Sequence, residues 1–386
     1  MKYDFDKITQ RRGTGCFKHD GLKLIYGRED LLPLWVADME FEVAPAIRAA
    51  LQSRLDHGIF GYNFRLPVFY EVAANWIARE YGFKIGEEWI LTSPGIVPGI
   101  NLAVLRFTEP NDPILIQTPV YGPFFDAVRL NGRKLLTNPL VFQENHWQID
   151  WEDFEGKLSK ARMFILCNPH NPVGRLWSEQ ELKRMGRLCV KYGVKVVSDE
   201  IHADIVYDGQ TFLSYGAVED FADHSVCCFS PAKSFNVAGL SSAVLVVKDP
   251  VMRKELDSLI MKLHLHVGNS FGIEALIAAW RDSREWLRQM VGYLQGNRDL
   301  LIEVLAKDFP GLRMARPQCT YLGWMDYSGL GLDEEQLMKL LVNKAHLGLD
   351  PGSKFGDSSF VRINFACQRS ILGQALSRMK AAIYEA

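Results

Sequence analysis

At 386 residues the chain exceeds one small core, and a prior of roughly 150 residues per domain predicts two domains. Its 48% hydrophobic and 23% charged residues are the balance of a globular protein. A net charge of −2 with both signs mixed gives no electrostatic case for nucleic acid or an anionic membrane as partner.

The opening Met-Lys-Tyr-Asp-Phe-Asp-Lys is too acidic and polar for a secretory signal. No apolar run approaches the ~20 residues that cross a bilayer, so no membrane partner is expected. The seven cysteines show no CxxC and no paired spacing, which predicts reduced thiols in a cytoplasmic protein.

Residues 1–45 read as irregular, since Gly13, Gly15, Gly21, Gly27 and Pro33 break any period. Helical periodicity begins at Pro45, a residue suited to a first helical turn. Apolar runs then predict strands at residues 89–92, 113–117, 133–136, 163–167, 195–198, 225–229 and 243–247. Helical stretches at 96–106, 121–131 and 178–192 separate several of them, the last opened by a Ser178/Glu181 capping box. Alternation of this kind predicts an α/β fold with a mostly parallel, seven-stranded sheet. After residue 285 the order changes to helix (284–309), strand (320–325), helix (333–344), strand (360–365) and a closing helix from Ser370. The expected division is an N-terminal arm (1–45) joining a smaller α+β domain (286–386), with a large domain (46–285) between.

Lys233 stands in Ser-Pro-Ala-Lys-Ser-Phe-Asn, with apolar stretches before and after it. A lysine there reads as one held in a cleft at a strand end. Asp199 follows the apolar run 194–197; in isolation it could be a simple loop cap. A buried amine and a strand-end carboxylate suit pyridoxal 5′-phosphate, the lysine as Schiff base and the acid against the pyridine nitrogen. Asn171 belongs to the second of two Asn-Pro pairs that straddle His170 just past another strand, and could hydrogen-bond the ring oxygen. Gly95 and Ile96 open a helix after a strand, where backbone N–H groups bind phosphate. Tyr121 is either core or a ring that stacks on a flat cofactor. Arg362, inside an apolar strand, needs either a structural acid or a substrate carboxylate. His264 and His266 could face one side of a strand as metal ligands, but no acid or cysteine cluster supports them, and no metal is expected.

Trp-Val-Ala-Asp-Met-Glu-Phe (35–41), Phe-Gly-Tyr (60–62), Ser-Pro-Gly-Ile-Val-Pro (93–98), Asn-Pro-His-Asn-Pro-Val-Gly (168–174), Ser-Asp-Glu-Ile-His-Ala-Asp (198–204), Ser-Pro-Ala-Lys-Ser-Phe-Asn (230–236) and Arg-Ile-Asn-Phe-Ala (362–366) carry a resemblance over nearly the whole chain. It resembles fold-type I pyridoxal-phosphate enzymes of the class I/II aminotransferase group, and within them the MalY/PatB-type cystathionine β-lyases, which are cysteine C–S lyases. The resemblance implies Lys233 as cofactor lysine and catalytic base, Asp199 as ring-nitrogen partner, and Asn171 at the ring hydroxyl. It implies Tyr121 stacked on the ring and able to protonate the leaving sulfur, a role Lys233 could also fill. Gly95, Ile96 and Ser230 would surround the phosphate, with Tyr62 reaching it from a second subunit of a homodimer. Arg362, Asn171 and the Ala37 backbone would hold an amino-acid substrate. Two departures from aminotransferases, His202 at the cofactor in place of tyrosine and Ser241 in place of a phosphate-binding arginine, favour α,β-elimination. Glu40 stands where the lyases more often have aspartate. The implied products are thiol, pyruvate and ammonia. An aminotransferase, or a regulatory protein keeping the fold, are the alternatives.

Overall fold

The computed structural model describes residues 2–384; Met1, Glu385 and Ala386, which close the two expected terminal segments, lie outside the described residues. The larger sheet is built from β1 (Ile90–Ser93), β2 (Pro113–Thr118), β3 (Lys134–Gln143), β4 (His146–Ile149), β5 (Met163–Cys167), β6 (Lys195–Asp199), β7 (Ser225–Phe229) and β8 (Ala243–Val246). Its order is β1-β8-β7-β6-β5-β2-β3-β4. The central strands from β3 through β2, β5 and β6 to β7 are parallel, and β8 runs against both β7 and β1.

The sheet is mostly parallel as expected, but it has eight strands, not seven. The extra strand, β4, pairs antiparallel with the far half of β3, from Leu140↔Ile149 to Gln143↔His146. It buries Trp147 and Ile149 and exposes His146 and Gln148, an edge alternation too short to stand out beside the apolar runs. By contrast, every residue of β5 and β7 is buried, because both faces of a parallel sheet are covered.

One covering element is the helix Ile96–Phe107, which buries Ile96, Ile100, Ala103 and Val104 in one cluster with Ile116, Ile165 and Val197. At about 2 kcal/mol for each large aliphatic side chain, that face alone fixes the helix on the sheet. Its N-terminus is thereby aimed at the strand ends. On the other side, Glu179–Tyr192 begins at the expected capping box, with both Ser178 and Glu181 bonds formed.

The smaller sheet consists of β9 (Arg313–Met314), β10 (Leu322–Asp326), β11 (Asp350–Pro351) and β12 (Phe360–Asn364), antiparallel in the order β9-β10-β12-β11. Helices Arg284–Asp308, Glu334–Asn343 and Arg369–Tyr384 accompany it. The N-terminal segment is more ordered than expected. Two short helices, Phe17–Asp20 and Leu22–Tyr26, flank Gly21, and the second ends at Gly27 with φ +73. Leu22, Leu31 and Trp35 form a small core of their own, which supplies the packing that overrides the glycines. Leu32–Pro33 pairs in parallel with Leu347–Gly348 as a separate two-stranded sheet, tying this segment to the chain just before β11.

Among the described residues no helix is long and apolar enough to cross a membrane, and all seven cysteines are free.

Candidate active site

β5, β6 and β7 end at Cys167, Asp199 and Phe229, and β1 and β2 end on the same rim at Ser93 and Thr118. The chain leaves each strand there in an irregular turn, the place where open α/β sheets bind ligands. A cavity of about 190 Å³ occupies it. Its walls include Ala37, Gly95, Ile96, Tyr121, Asn171, Asp199, His202, Ser230 and Lys233. A larger surface groove, about 1140 Å³, runs past Trp147, Arg175 and Arg316 and contains none of these residues.

Lys233 is half-buried at the cavity, and its amine is pushed down to about 8. Burial is the main cause and the Arg362 guanidinium the next, against the pull of Asp38 and Asp199. Asp199 is raised to about 6 by burial, which the Ile201 N–H and Lys233 only partly offset. The one hydrogen bond of its carboxylate comes from Ile201 N, at 3.1 Å. His202 is pushed down to about 3 by burial, then by Lys233 and Arg362, so its ring is neutral. Among the described residues its Nδ1 has no hydrogen-bond partner, and the ring meets Tyr321 edge-on at 5.9 Å. Burial, then Asp199, raises the Tyr121 phenol, which therefore keeps its proton.

Arg362 stands behind Asn171 rather than among the cavity's lining residues. It is 4% exposed and donates from Nη2 to Asp350 Oδ2 at 2.5 Å and Trp35 O at 2.9 Å. Nη1 reaches Asn171 Oδ1 at 3.3 Å, and Nε has no partner. The structural salt bridge weighed for this arginine is thus present, with donor capacity left over on the Asn171 side.

The segment 35–41 forms the opposite wall, and its backbone is held by side chains instead of by a strand ladder. Every carbonyl from Trp35 to Phe41 accepts a side-chain hydrogen bond. Arg362 serves Trp35, and Asn364 serves Val36 and Asp38, both at 2.6 Å. Asn236 serves Met39 and Phe41 at 2.9 and 2.8 Å, and Gln368 serves Glu40 at 3.1 Å. Ala37 O accepts Lys233 Nζ at 2.7 Å and Tyr321 Oη at 2.9 Å. Beneath the wall lies a partly buried ionic cluster. The Lys18 amine, wholly buried, reaches Glu40 at 2.8 Å and Asp38 at 3.3 Å, while Arg11 bonds the same two acids and His19 reaches Glu40. Glu40, the departure noted in the motif, is therefore a cluster residue.

Gly174 closes the 168–174 loop with φ +69. A Cβ there would also sit 2.9 Å from Pro317 Cβ, so glycine is required twice over.

Ser230 lines the cavity, and Tyr62 does not. The Ser230 hydroxyl is committed to Ser242 O at 2.7 Å while accepting from Ala232 N at 3.1 Å, which leaves its proton turned away from the cavity. Tyr62 is fully exposed and lines no part of the cavity in its own chain. His264 and His266 have rings 5.9 Å apart, and among the described residues no metal-holding group of histidine, cysteine or acid exists. Sequence reasoning missed Tyr321, Asp350, Asn236 and Asn364, whose partners are remote in the chain. Asn236 and Asn364 left a local trace, in the Lys-Ser-Phe-Asn and Arg-Ile-Asn runs.

A family model described as aminotransferase class I and II matches residues 29–379. The chain belongs to this family. Every cavity residue named above falls inside the matched region of this class I/II aminotransferase-family chain. Cystathionine beta-lyase PatB of Bacillus subtilis (strain 168) is 39% identical to it, covering 98% of this chain and 100% of PatB. Protein MalY of Escherichia coli (strain K12) is 32% identical, covering 99% of each. Among solved structures, the pyridoxal-phosphate-bound C–S lyase from Staphylococcus hominis superposes with a TM-score of 0.93 at 32% identity, covering 100% of this chain and 99% of the lyase. The fold is the fold-type I architecture of the pyridoxal-phosphate transferases.

Proposed function

We propose that this protein is a pyridoxal-phosphate-dependent C–S β-lyase. It splits L-cystathionine, or a related cysteine S-conjugate, with one water into a thiol (homocysteine from cystathionine), pyruvate and ammonia. The observation that carries the reading is the pair of half-buried Lys233 and buried Asp199 lining one cavity, in a chain alike over its full length to PatB.

The donor set fits the cofactor. Asp199 is a buried carboxylate with no cation bonded to it among the described residues, as a protonated ring nitrogen requires. The unpartnered His202 Nδ1 is a further buried polar atom beside the cavity. Gly95 and Ile96 present a helix N-terminus to a phosphate. When bound, pyridoxal phosphate supplies an electron sink for the bond-breaking at the substrate Cα.

The chain's own residues do the rest. Asp199 keeps the proton on the ring nitrogen. Asn171 orients the ring oxygen, and Tyr121 covers the ring face. Arg362 holds the substrate carboxylate with the donors that Asp350 and Trp35 leave unused. Lys233 Nζ, unprotonated in useful amount near neutrality, takes the Cα proton as general base. Tyr121 or Lys233 then gives a proton to the departing sulfur. Ala37 O steadies the amine when it is free.

The same proposal makes the active unit a homodimer in which Tyr62 reaches the phosphate of the second subunit. Full exposure of Tyr62 beside exposed Ile59, Phe60, Phe64 and Leu66 supports it. The division into 1–45, 46–285 and 286–386, with the first joined to the last, is supported by the separate eight-stranded and four-stranded sheets and by the Leu32–Leu347 pairing. A cytoplasmic location is supported by the free thiols.

The test is to incubate the holoprotein with L-cystathionine and no 2-oxo acid. Pyruvate and homocysteine in equal amounts are expected. Consumption only when a 2-oxo acid is added would make the protein an aminotransferase.

A further inference from the structure

Asp350 of β11 and Arg362 of β12 are direct pairing partners across the smaller sheet. Arg362 Nη2 has two hydrogens and two acceptors, Asp350 Oδ2 at 2.5 Å and Trp35 O at 2.9 Å. A guanidinium grips a carboxylate with two bonds in two ways, through Nη1 and Nη2 at its end or through Nε and Nη2 at its side. Nη2 belongs to both forks. The donors still open are Nε and whatever the long 3.3 Å bond to Asn171 leaves of Nη1. They offer a substrate carboxylate single contacts but no fork.

The guanidinium lies over the Phe355 ring, with Cζ 4.5 Å from its centroid, so a fork opens only when one acceptor gives way. Trp35 O is fixed. On one side of it Leu34 O accepts from Asn364 N, and on the other Val36 O accepts from Asn364 Nδ2. Asp350 has somewhere else to go. Its Oδ1 already accepts from Lys354 Nζ at 2.9 Å, and the Lys354 side chain is 46% exposed against 7% for Asp350. Turning the carboxylate toward Lys354 keeps its charge paired and frees Nη2 without moving either strand. With no ligand present, Asp350 supplies the counter-charge that a buried arginine needs.

We propose that Asp350 is a built-in stand-in for the substrate's α-carboxylate, which occupies Arg362 in the empty site and passes to Lys354 when the carboxylate arrives. The exchange makes Asp350 and Lys354 determinants of specificity. A ligand with a carboxylate replaces the bond it breaks, whereas an amine without one leaves Asp350 on Arg362. This deepens the C–S lyase reading and rests on it for Arg362 as the partner of the substrate carboxylate.

Binding is measured apart from turnover, by cofactor absorbance in the Lys233→Ala holoprotein, with L-alanine and with ethylamine, which is alanine without its carboxylate. Asp350→Asn removes the competing charge. L-Alanine is then expected to bind about tenfold more tightly, the size of one modest charge-assisted contact, with ethylamine unchanged within about twofold. Lys354→Met takes away the cation that receives Asp350 and is expected to weaken L-alanine by about fivefold while sparing ethylamine. Its half-exposed side chain leaves this arm of the test standing if Asp350→Asn does not fold. An Asp350 that only braced Arg362 would give the opposite sign, weaker L-alanine binding in Asp350→Asn. That result overturns the proposal, as does unchanged L-alanine binding in either variant or a change shared by both ligands. Failure of the lyase reading is separable: the L-alanine shifts would stand while Lys233-intact protein released no pyruvate from L-cystathionine.

Discussion

Lys233 Nζ donates to the carbonyl of Ala37 across 2.7 Å, although 196 residues separate them. The acceptor is fixed in turn by Tyr321 and by the side-chain bonds along the rest of its segment, so the amine has a defined resting point in a dry cavity. That environment sets its ionisation, and a first prediction follows for the cofactor-free protein. Only the neutral amine captures pyridoxal phosphate. The capture rate should rise with pH around a midpoint near 8, well below an ordinary lysine. Arg362→Gln removes a charge that holds the amine down and should move the midpoint upward. Stopped-flow absorbance against pH reads both.

Asp199 carries the largest expected effect on chemistry apart from Lys233 itself. Asp199→Asn keeps the shape but cannot keep the ring nitrogen charged. The variant should retain cofactor while kcat falls by about 10²–10³, the usual cost of losing one preorganised electrostatic group. Steady-state pyruvate release, normalised to bound cofactor, is the measurement.

Glu40 links the site wall to stability and to pH. Burial alone would raise its carboxyl, but Lys18, then His19 and Arg11, outweigh burial and hold it well below the usual carboxylate range. A carboxyl depressed in the folded state contributes stability that is full above its unfolded value, near 4.5, and is lost as pH falls below it. Glu40→Gln should cost about 3 kcal/mol at neutral pH by leaving Lys18 short of a buried partner. It should also flatten the acid limb of the stability curve. Urea unfolding at pH 4 and 7 tests both statements.

Asn236 sits at φ +57 and makes three bonds to the wall, to Met39 N, Met39 O and Phe41 O. At roughly 1 kcal/mol per bond, Asn236→Gly should lose about 3 kcal/mol. Asn236→Ala should lose about 1 kcal/mol more, because alanine resists the left-handed conformation. Equal losses in urea melts would contradict the backbone argument.

Much of this was legible in the sequence, for a physical reason. A fully buried parallel strand needs a continuous apolar run, and the polar turn at its carboxyl end stands on the ligand rim. Lys233, Asp199, Asn171 and Tyr121 all announce themselves in that way. β4 did not, since four alternating residues at a sheet edge carry little signal. The helices around Gly21 were hidden because Trp35 and Leu31, not local propensity, stabilise them. Tyr321, Asp350 and Asn364 act on residues far away in sequence, Asp350 excepted at twelve positions from Arg362, and no local pattern marks such pairs. Tyr62 could be read only from the family resemblance, because one chain gives it nothing to touch.

Its proposed role across the subunit boundary can be tested by mixing. Lys233→Ala and Tyr62→Ala proteins, each nearly inactive, should recover about one quarter of wild-type activity after equal mixing and exchange. Half the dimers are then hybrids, and each hybrid has one intact site of two. No recovery, despite hybrids seen by native mass spectrometry, would place Tyr62 outside the partner's site.

The most direct measurement is product formation from L-cystathionine, without a 2-oxo acid, by wild-type and Lys233→Ala holoproteins carrying equal cofactor. Elimination with Lys233 as the base predicts pyruvate and homocysteine in a 1:1 ratio from the wild type, and a rate lower by at least about a thousandfold in the variant. Wild-type turnover by Lys233→Ala, or homocysteine without pyruvate, would contradict it.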